Sequence, residues 1–320
     1  MKFSICLECN TTLADFRSLV KSTESLGFQT LWLTDLGLNS NDVFAYMTMA
    51  MMQTSRLSIG AAVHPPQLRH PAITLNTLVT LNRLSAGRMI YGIGTGDEGF
   101  LSVIGRRSLK LRSLAELVEL SRRLLRGETV SSDTGELVMR DARLSGPIDR
   151  QLPIYLAATG PRTLALAGAI ADGVLAHVGA NSDSLSMALE TCARQNNEPE
   201  TFDFTPYLYL AISADKSCAL ADCRKGARTI AIRAPHLARL AGCTAEEEKR
   251  LREGHSDIES IITAPLIDRL TLAGTKSDVT AKLNAIAELG IEHVTLYPRG
   301  KDIARQLDIF GRQILPQFSG

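Results

Sequence analysis

The sequence predicts an α/β fold, a single (β/α)8 TIM barrel over residues 1–320 with a helical insertion after the seventh strand, at about 215–270. Three observations predict it. Short apolar runs alternate with amphipathic stretches along the whole chain, and eight such runs can be counted. Residues from about Asp215 to Leu270 carry only helical patterns, broken at Pro235, Gly254 and Pro265, which reads as an expansion of one barrel unit. The apolar runs also end in small residues, acids or histidine, the types that collect at the carboxyl mouth of a parallel barrel. Strict alternation demands crossover connections and therefore a parallel sheet. The doubly wound alternative is disfavoured because Gly92-x-Gly94-x-Gly96 has neither the dinucleotide spacing nor a helix starting directly on it.

The first strand is Phe3 to Leu7, followed by a helix over Leu13 to Leu26 whose apolar residues share one face and which Gly27 closes. Thr30 to Thr34 is the second strand and Val43 to Met52 its Met-rich helix, a composition that suits core packing. Leu57 to Val63 is the third strand, leaving through His64-Pro65-Pro66, and a helix from His70 to Leu84 leads into the fourth, Met89 to Ile93. A long amphipathic helix, about Leu109 to Arg126, ends at Gly127, and a hairpin-like excursion over Val130 to Leu144 follows. Strand five is Leu152 to Ala157, with proline at the first turn of its helix, Pro161 to Ile170, where a missing N–H costs nothing. Gly173 to His177, Ser182 to Gln195 and Thr205 to Ile212 are strand six, its helix and strand seven. The last unit is a helix over Val279 to Leu289, a strand over Val294 to Tyr297 and a helix over Asp302 to Ile314.

Composition narrows the function. A net charge of +1 with no basic block argues against nucleic-acid binding, and no apolar run reaches the roughly 18 residues that span a bilayer, so a small-molecule substrate is expected. Six scattered cysteines and no signal-peptide pattern suit a reducing cytoplasm. Cys6-Leu7-Glu8-Cys9 lacks a second ligand pair at zinc spacing, so no metal site is expected.

The strand ends supply the candidate chemistry. Cys6, Glu8 and Asn10 alternate onto one face, with Glu8 either a site carboxylate or a solvated acid, because strand period does not say which face points inward. Asp35 follows strand two as a site acid or a helix-entry acid. His64 follows strand three and either polarises a carbonyl or caps its loop. Gly94-Thr95-Gly96-Asp97 is a glycine turn with an acid at the mouth of strand four, and its glycines would admit a ring or substrate close to the backbone. Thr159-Gly160-Pro161-Arg162 places small residues, a helix start and a cation together, a plausible phosphate seat. His177, ending strand six, is placed to touch the same ligand, whereas Asp172 shapes a turn. Lys225, Arg228, Arg233 and Arg239 of the insertion are read mainly as solvated.

Several of these segments resemble the luciferase-like flavin and deazaflavin oxidoreductase superfamily. Arg69-His70-Pro71, Thr80 to Arg88 and Gly92 to Asp97 follow one of its blocks, and Leu152 to Arg162 with Ala167 to Val174 follow a second. Ala273-Gly274-Thr275 and Gly290-Ile291 are similar to its closing unit, so the likeness spans nearly the whole chain. Trp32-Leu33-Thr34-Asp35 and the asparagine-bearing loop after it most resemble methylenetetrahydromethanopterin reductases. The resemblance implies coenzyme F420 at the carboxyl face of the barrel, its phosphate on Thr159, Gly160 and Pro161, and its ring among Asp35, Ala62, Val63, Gly96 and Asp97. It implies a cis peptide bond at Ala62-Val63, and self-association as a homodimer or higher homo-oligomer. Two departures stand out. Leu36 stands where many members have histidine, so histidine-based proton transfer is not expected at that point, and Cys6 aligns with a glutamate of the reductases, with Glu8 two residues on.

The expected activity is hydride transfer between F420 and a C=N or activated C=C acceptor, a methylene-tetrahydropterin among the candidates, with Asp97, Glu8 and Asp35 as the catalytic carboxylates. Ala62, Val63, His64, Gly96, Thr159, Gly160, Pro161, Arg162 and His177 are the expected cofactor contacts. An FMN-dependent monooxygenase of the same fold is the first alternative, since both cofactors share a ring outline and a ribityl phosphate. A non-catalytic cofactor-binding member is the second.

Overall fold

The computed structural model describes residues 1–135, 137–146, 150–196 and 199–318. Its strands, in chain order, are β1 (Lys2–Leu7), β2 (Thr30–Leu33), β3 (Ser58–Ala61), β4 (Met89–Ile93), β5 (Val130–Asp133), β6 (Val138–Ala142), β7 (Ile154–Ala158), β8 (Gly173–Ala176), β9 (Asp203–Ile212), β10 (Leu272–Gly274) and β11 (His293–Pro298). The order β1-β2-β3-β4-β7-β8-β9-β11 is parallel throughout and closes where β11 meets β1, so the expected (β/α)8 barrel is present with its strands in the expected sequence. β5 and β6 are the hairpin expected over Val130 to Leu144, antiparallel and apart from the barrel. Glu136, inside that excursion, lies outside the described residues.

Two details depart from the expectation. Strand three stops at Ala61 and does not run to Val63: the Ala62–Val63 peptide is cis, and the chain rejoins the sheet at His64, whose N–H donates to the Gly92 carbonyl at 2.9 Å. A short strand, β10, pairs with the end of β9, where three residues are too few to register as a period. The insertion is helical as expected, built on Lys216–Arg233 with shorter helices at Pro235–Leu240, Ala245–Glu253 and Ala264–Leu270.

Core packing falls into two clusters. The larger lies between the sheet and its surrounding helices. The smaller fills the barrel interior with Cys6, Trp32, Ile90, Tyr155, Leu175 and Tyr207, and Ala62, Val63 and Tyr297 pack on it toward the carboxyl end. Room for the fully buried Trp32 indole comes from glycine: a Cβ on Gly60 would lie 2.5 Å from Trp32 Cζ3. The small residues ending strand three thus accommodate this chain's own tryptophan.

Much of the motif around strand four is scaffold. Arg88 donates to the carbonyls of Met51, Thr54, Leu57 and Ser85, tying the helix Val43–Gln53 to the loop before β4. Asn82 accepts from Met89 N–H at 3.0 Å and donates to the Gln151 carbonyl at 2.9 Å, fixing β4 beside β7. Asp172 accepts from Ile154 N–H at 2.7 Å and from Arg122 at 3.0 Å, the structural role expected of it.

Candidate active site

A cavity of about 780 Å³ opens at the carboxyl ends of the barrel strands. Its wall brings together Glu8, Asp35, Ala62, Val63, Gly96, Asp97, Thr159 and His177 of the expected site residues. Gly160, Pro161 and Arg162 sit directly behind Thr159, where Gly160 precedes the helix Pro161–Ile170 without a side-chain cap. An added Cβ on Gly160 would meet nothing within 4 Å. His64 is buried behind the wall, with its Nδ1 on Asp35.

Each carboxylate is held differently. Glu8 Oε1 accepts from Arg299 at 2.8 Å and from the Tyr297 hydroxyl. Burial acts to raise its pKa, but the two hydrogen bonds and the Arg299 charge outweigh it and leave the carboxyl below its ordinary 4.5. Asp97 accepts the Gly99 N–H at 2.9 Å through Oδ1, starting the short helix Glu98–Leu101, and ion-pairs with Arg233 through Oδ2. Asp35 Oδ2 lies 2.6 Å from His64 Nδ1, and its Oδ1 accepts from Gly37 N–H at 3.2 Å.

The far wall is aromatic. Tyr207 and Tyr209 lie two residues apart on β9 and so face the same way, and Tyr297 of β11 is the register partner of Tyr209. The Tyr209 and Tyr297 rings stack with centroids 5.4 Å apart, and the Arg299 guanidinium lies 4.9 Å from the Tyr297 centroid. Burial pushes the Tyr209 hydroxyl up to about 12. The Tyr207 hydroxyl donates to Cys6 Sγ at 3.2 Å, and Cys6, fully buried, is a thiol with a raised pKa beneath the floor. Edge contacts to Tyr207 and Tyr209 surround the His177 ring, and burial, with the Arg233 charge, lowers its pKa to about 4. Its Nε2 is buried without a hydrogen-bond partner among the described residues.

The glycine turn proves more constrained by protein than expected. A Cβ on Gly94 would lie 2.9 Å from Val63 Cγ2, and Gly96, at φ +87°, would bring one to 2.5 Å from Leu101 Cδ1. Both glycines line the cavity, yet their own neighbours already require them. The insertion's basic residues Lys225, Arg228, Arg233 and Arg239 are exposed, as expected of them, and three also have partners: Arg228 pairs with Glu259, Arg239 donates to the Cys243 carbonyl at 2.6 Å, and Arg233 pairs with Asp97 at the cavity beside Lys225 and Thr229. The strand-end pattern does not single out Tyr207, Tyr209, Tyr297 or Arg299, although the spacing of Tyr207 with Tyr209 puts that pair on one strand face.

A closed parallel barrel with a cavity at its carboxyl mouth that carries several charged side chains is the architecture of barrel enzymes. The family model described as luciferase-like monooxygenase matches residues 1–293, and the chain belongs to that family. It is similar to a 5,10-methylenetetrahydromethanopterin reductase of Archaeoglobus fulgidus, 28% identical over 99% of this chain and 100% of that one. An F420-dependent glucose-6-phosphate dehydrogenase of Kineococcus radiotolerans is 25% identical, covering 95% of this chain and 92% of its own. The solved structure of coenzyme F420-dependent tetrahydromethanopterin reductase from Methanopyrus kandleri has a TM-score of 0.83 at 23% identity, over 99% of both chains.

Proposed function

We propose that the chain is an F420-dependent oxidoreductase that moves a hydride between the deazaflavin and a small acceptor with a C=N or activated C=C bond, a methylene-tetrahydropterin among the candidates. The observation that carries this reading is one mouth holding both a cavity walled by Ala62 and Val63 and, at Thr159 and Gly160, an uncapped helix start with open space before it. Full-length likeness to F420-dependent relatives supports the choice of cofactor.

The residues present fit such a group. Free N–H capacity and the positive dipole end at Gly160 suit a ribityl phosphate, with the Thr159 hydroxyl beside it. The Nε2 of His177, without a hydrogen-bond partner among the described residues, is a polar atom of a residue on the same wall that a ligand would satisfy. Reduced F420, when bound, supplies a hydride from one ring carbon. Ala62 and Val63, with the tyrosines of β9 and β11, would hold the ring and exclude water from it. Glu8, kept ionised by Arg299 and Tyr297, is a poor proton donor at neutral pH and is suited to holding that side of the cavity in place for the acceptor. Asp35, beside the His64 imidazole, is the carboxylate placed to pass a proton to the acceptor.

The test is anaerobic stopped-flow loss of reduced-F420 absorbance on mixing with a cyclic imine and with a conjugated enone. Oxidation at one equivalent per chain with either acceptor supports the reading; no oxidation with either, while reduced FMN is consumed on adding oxygen, favours the monooxygenase alternative. The same proposal places the chain in the cytoplasm, where its six free cysteines stay reduced, and in a homo-oligomer that sedimentation would register.

A further inference from the structure

Four carboxylates line the cavity, Glu8, Asp35, Asp97 and Glu98: Glu8 is paired with Arg299 and Asp97 with Arg233, while Glu98 accepts from the Ser108 N–H and hydroxyl. Neither arginine gives up a proton. Asp35 is different, because its partner, His64, is itself able to hold or release one. The imidazole is 2% exposed, and its edge packs on the Phe44 ring at 5.0 Å. The Thr74 hydroxyl lies 3.2 Å from Nε2, while Nδ1 lies 2.6 Å from Asp35 Oδ2. His64 is placed there by the chain turning back after the Ala62–Val63 bond, with its own N–H on the Gly92 carbonyl. Leu36, the apolar residue next to Asp35 on the cavity wall, offers no proton. The result is a buried histidine hydrogen-bonded to one carboxylate of the cavity wall.

We propose that Asp35 and His64 act as one proton-donating unit, with Asp35 at the acceptor and His64 behind it as a positioning residue and proton reservoir, and that the acceptor is therefore one that takes a proton with the hydride, a polarised C=C or C=O, and not a permanently cationic C=N. This rests on the function proposed above. In the step, the hydride forms a C–H bond at one end of the acceptor double bond and the π pair moves to the other end. Asp35 gives that end its proton, and the Asp35–His64 pair, one proton poorer, is recharged from solvent. The reductant is reduced F420, which ends oxidised. Before the step the pair is a carboxylate and an imidazolium, Nδ1–H donating to Oδ2 and Nε2–H to Thr74 Oγ1; the Nδ1 proton passes through Oδ2 to the acceptor and leaves a neutral imidazole with its proton on Nε2.

The discriminating variant is His64→Asn, whose amide can still donate to Asp35 but cannot release a proton. With reduced F420 and an enone, its kcat is expected to fall at least about 100-fold while KM and F420 affinity stay within about threefold. Wild type in D2O is expected to place one solvent deuterium on the carbon beside the hydride-bearing one and to show a solvent isotope effect on kcat. A kcat within threefold of wild type for His64→Asn, or faster reduction of a cationic iminium than of an enone with no solvent isotope effect, would overturn the proposal. A second readout needs no cofactor: in the histidine-15N-labelled protein, Nδ1 carries the proton in a hydrogen bond that Asp35→Ala removes. An Nδ1 without that proton, or unchanged in Asp35→Ala, also overturns it. If wild type fails to oxidise reduced F420 at all, the proposed function falls, and the NMR result alone judges the pair.

Discussion

Asp97, on the loop after β4, and Arg233, the last residue of the long insertion helix, are joined by an ion pair at the cavity wall although 136 positions separate them. The pair links the barrel mouth to the expansion above it. Because Asp97 also caps the helix Glu98–Leu101, its two oxygens have separate tasks.

Those tasks separate by substitution. Asn caps a helix about as well as Asp, so Asp97→Asn removes only the ion pair. Both partners are partly open to solvent, so its loss costs stability less than about 1 kcal/mol. The expected effect is a severalfold rise in the acceptor KM with kcat within about threefold, and Asp97→Ala is expected to be worse in both. A 100-fold fall in kcat at constant KM in Asp97→Asn would instead put Asp97 in the chemistry.

Glu8 gives a pH prediction with a definite sign. Its pKa is depressed, so the charged form persists as pH falls from neutral to the ordinary value of 4.5, and activity that depends on the charge disappears only below that value. No limb in kcat/KM between pH 7 and pH 5 is therefore expected to belong to Glu8. Glu8→Gln is expected to lower the hydride-transfer rate about 10-fold or more without moving F420 affinity. A limb near pH 6 present in wild type and missing in Glu8→Gln would contradict this.

At the opposite end of the barrel, Asp203 Oδ2 accepts from His293 Nδ1 at 2.7 Å and from the Tyr155 hydroxyl at 2.8 Å, while His293 Nε2 meets Ser4 Oγ at 2.6 Å. Ser4 is fully buried, so this cluster is a structural tie between β1, β7, β9 and β11. Burial alone would raise the Asp203 pKa, but its bonds to His293 and Tyr155 bring it below the ordinary 3.8. Its contribution to stability is thus present above about pH 3.8 and is lost as pH falls through the lower folded-state value. Urea unfolding of Asp203→Asn is expected to show a loss of about 2 kcal/mol at pH 7, shrinking under strongly acid conditions.

Two glycines are expected to respond in opposite ways to alanine. A Cβ on Gly92 would fall 1.9 Å from the Ala61 carbonyl oxygen, backbone that cannot move aside without breaking the β3–β4 pairing. Gly92→Ala is expected to lose about 3 kcal/mol or to accumulate as insoluble protein. Gly160→Ala has open space around its new methyl, so thermal unfolding is expected to stay within a few degrees of wild type. Its F420 affinity is expected to fall by 10-fold or more, because that space is assigned to the phosphate.

How far the sequence reveals the molecule depends on the range of the interaction involved. The barrel strands are legible because parallel strands buried on both sides read as unbroken apolar runs, as in Leu31-Trp32-Leu33. Glu8, Asp35, Asp97 and Thr159 are legible as strand-end residues. Their partners are not: Arg299, His64 and Arg233 come from distant parts of the chain, and which strands lie side by side is settled only when the barrel closes. The aromatic wall has the same origin, since Tyr297 meets Tyr209 through strand register. Gly60 and Gly92 likewise need the position of Trp32 and of Ala61 before their smallness is explained.

The most direct test is a parallel fluorescence titration of the purified protein with oxidised F420 and with FMN. The account predicts saturation at one F420 per chain with micromolar affinity, at least 10-fold tighter than FMN and weakened in Gly160→Ala. Tighter binding of FMN, or F420 affinity unchanged by Gly160→Ala, would contradict it.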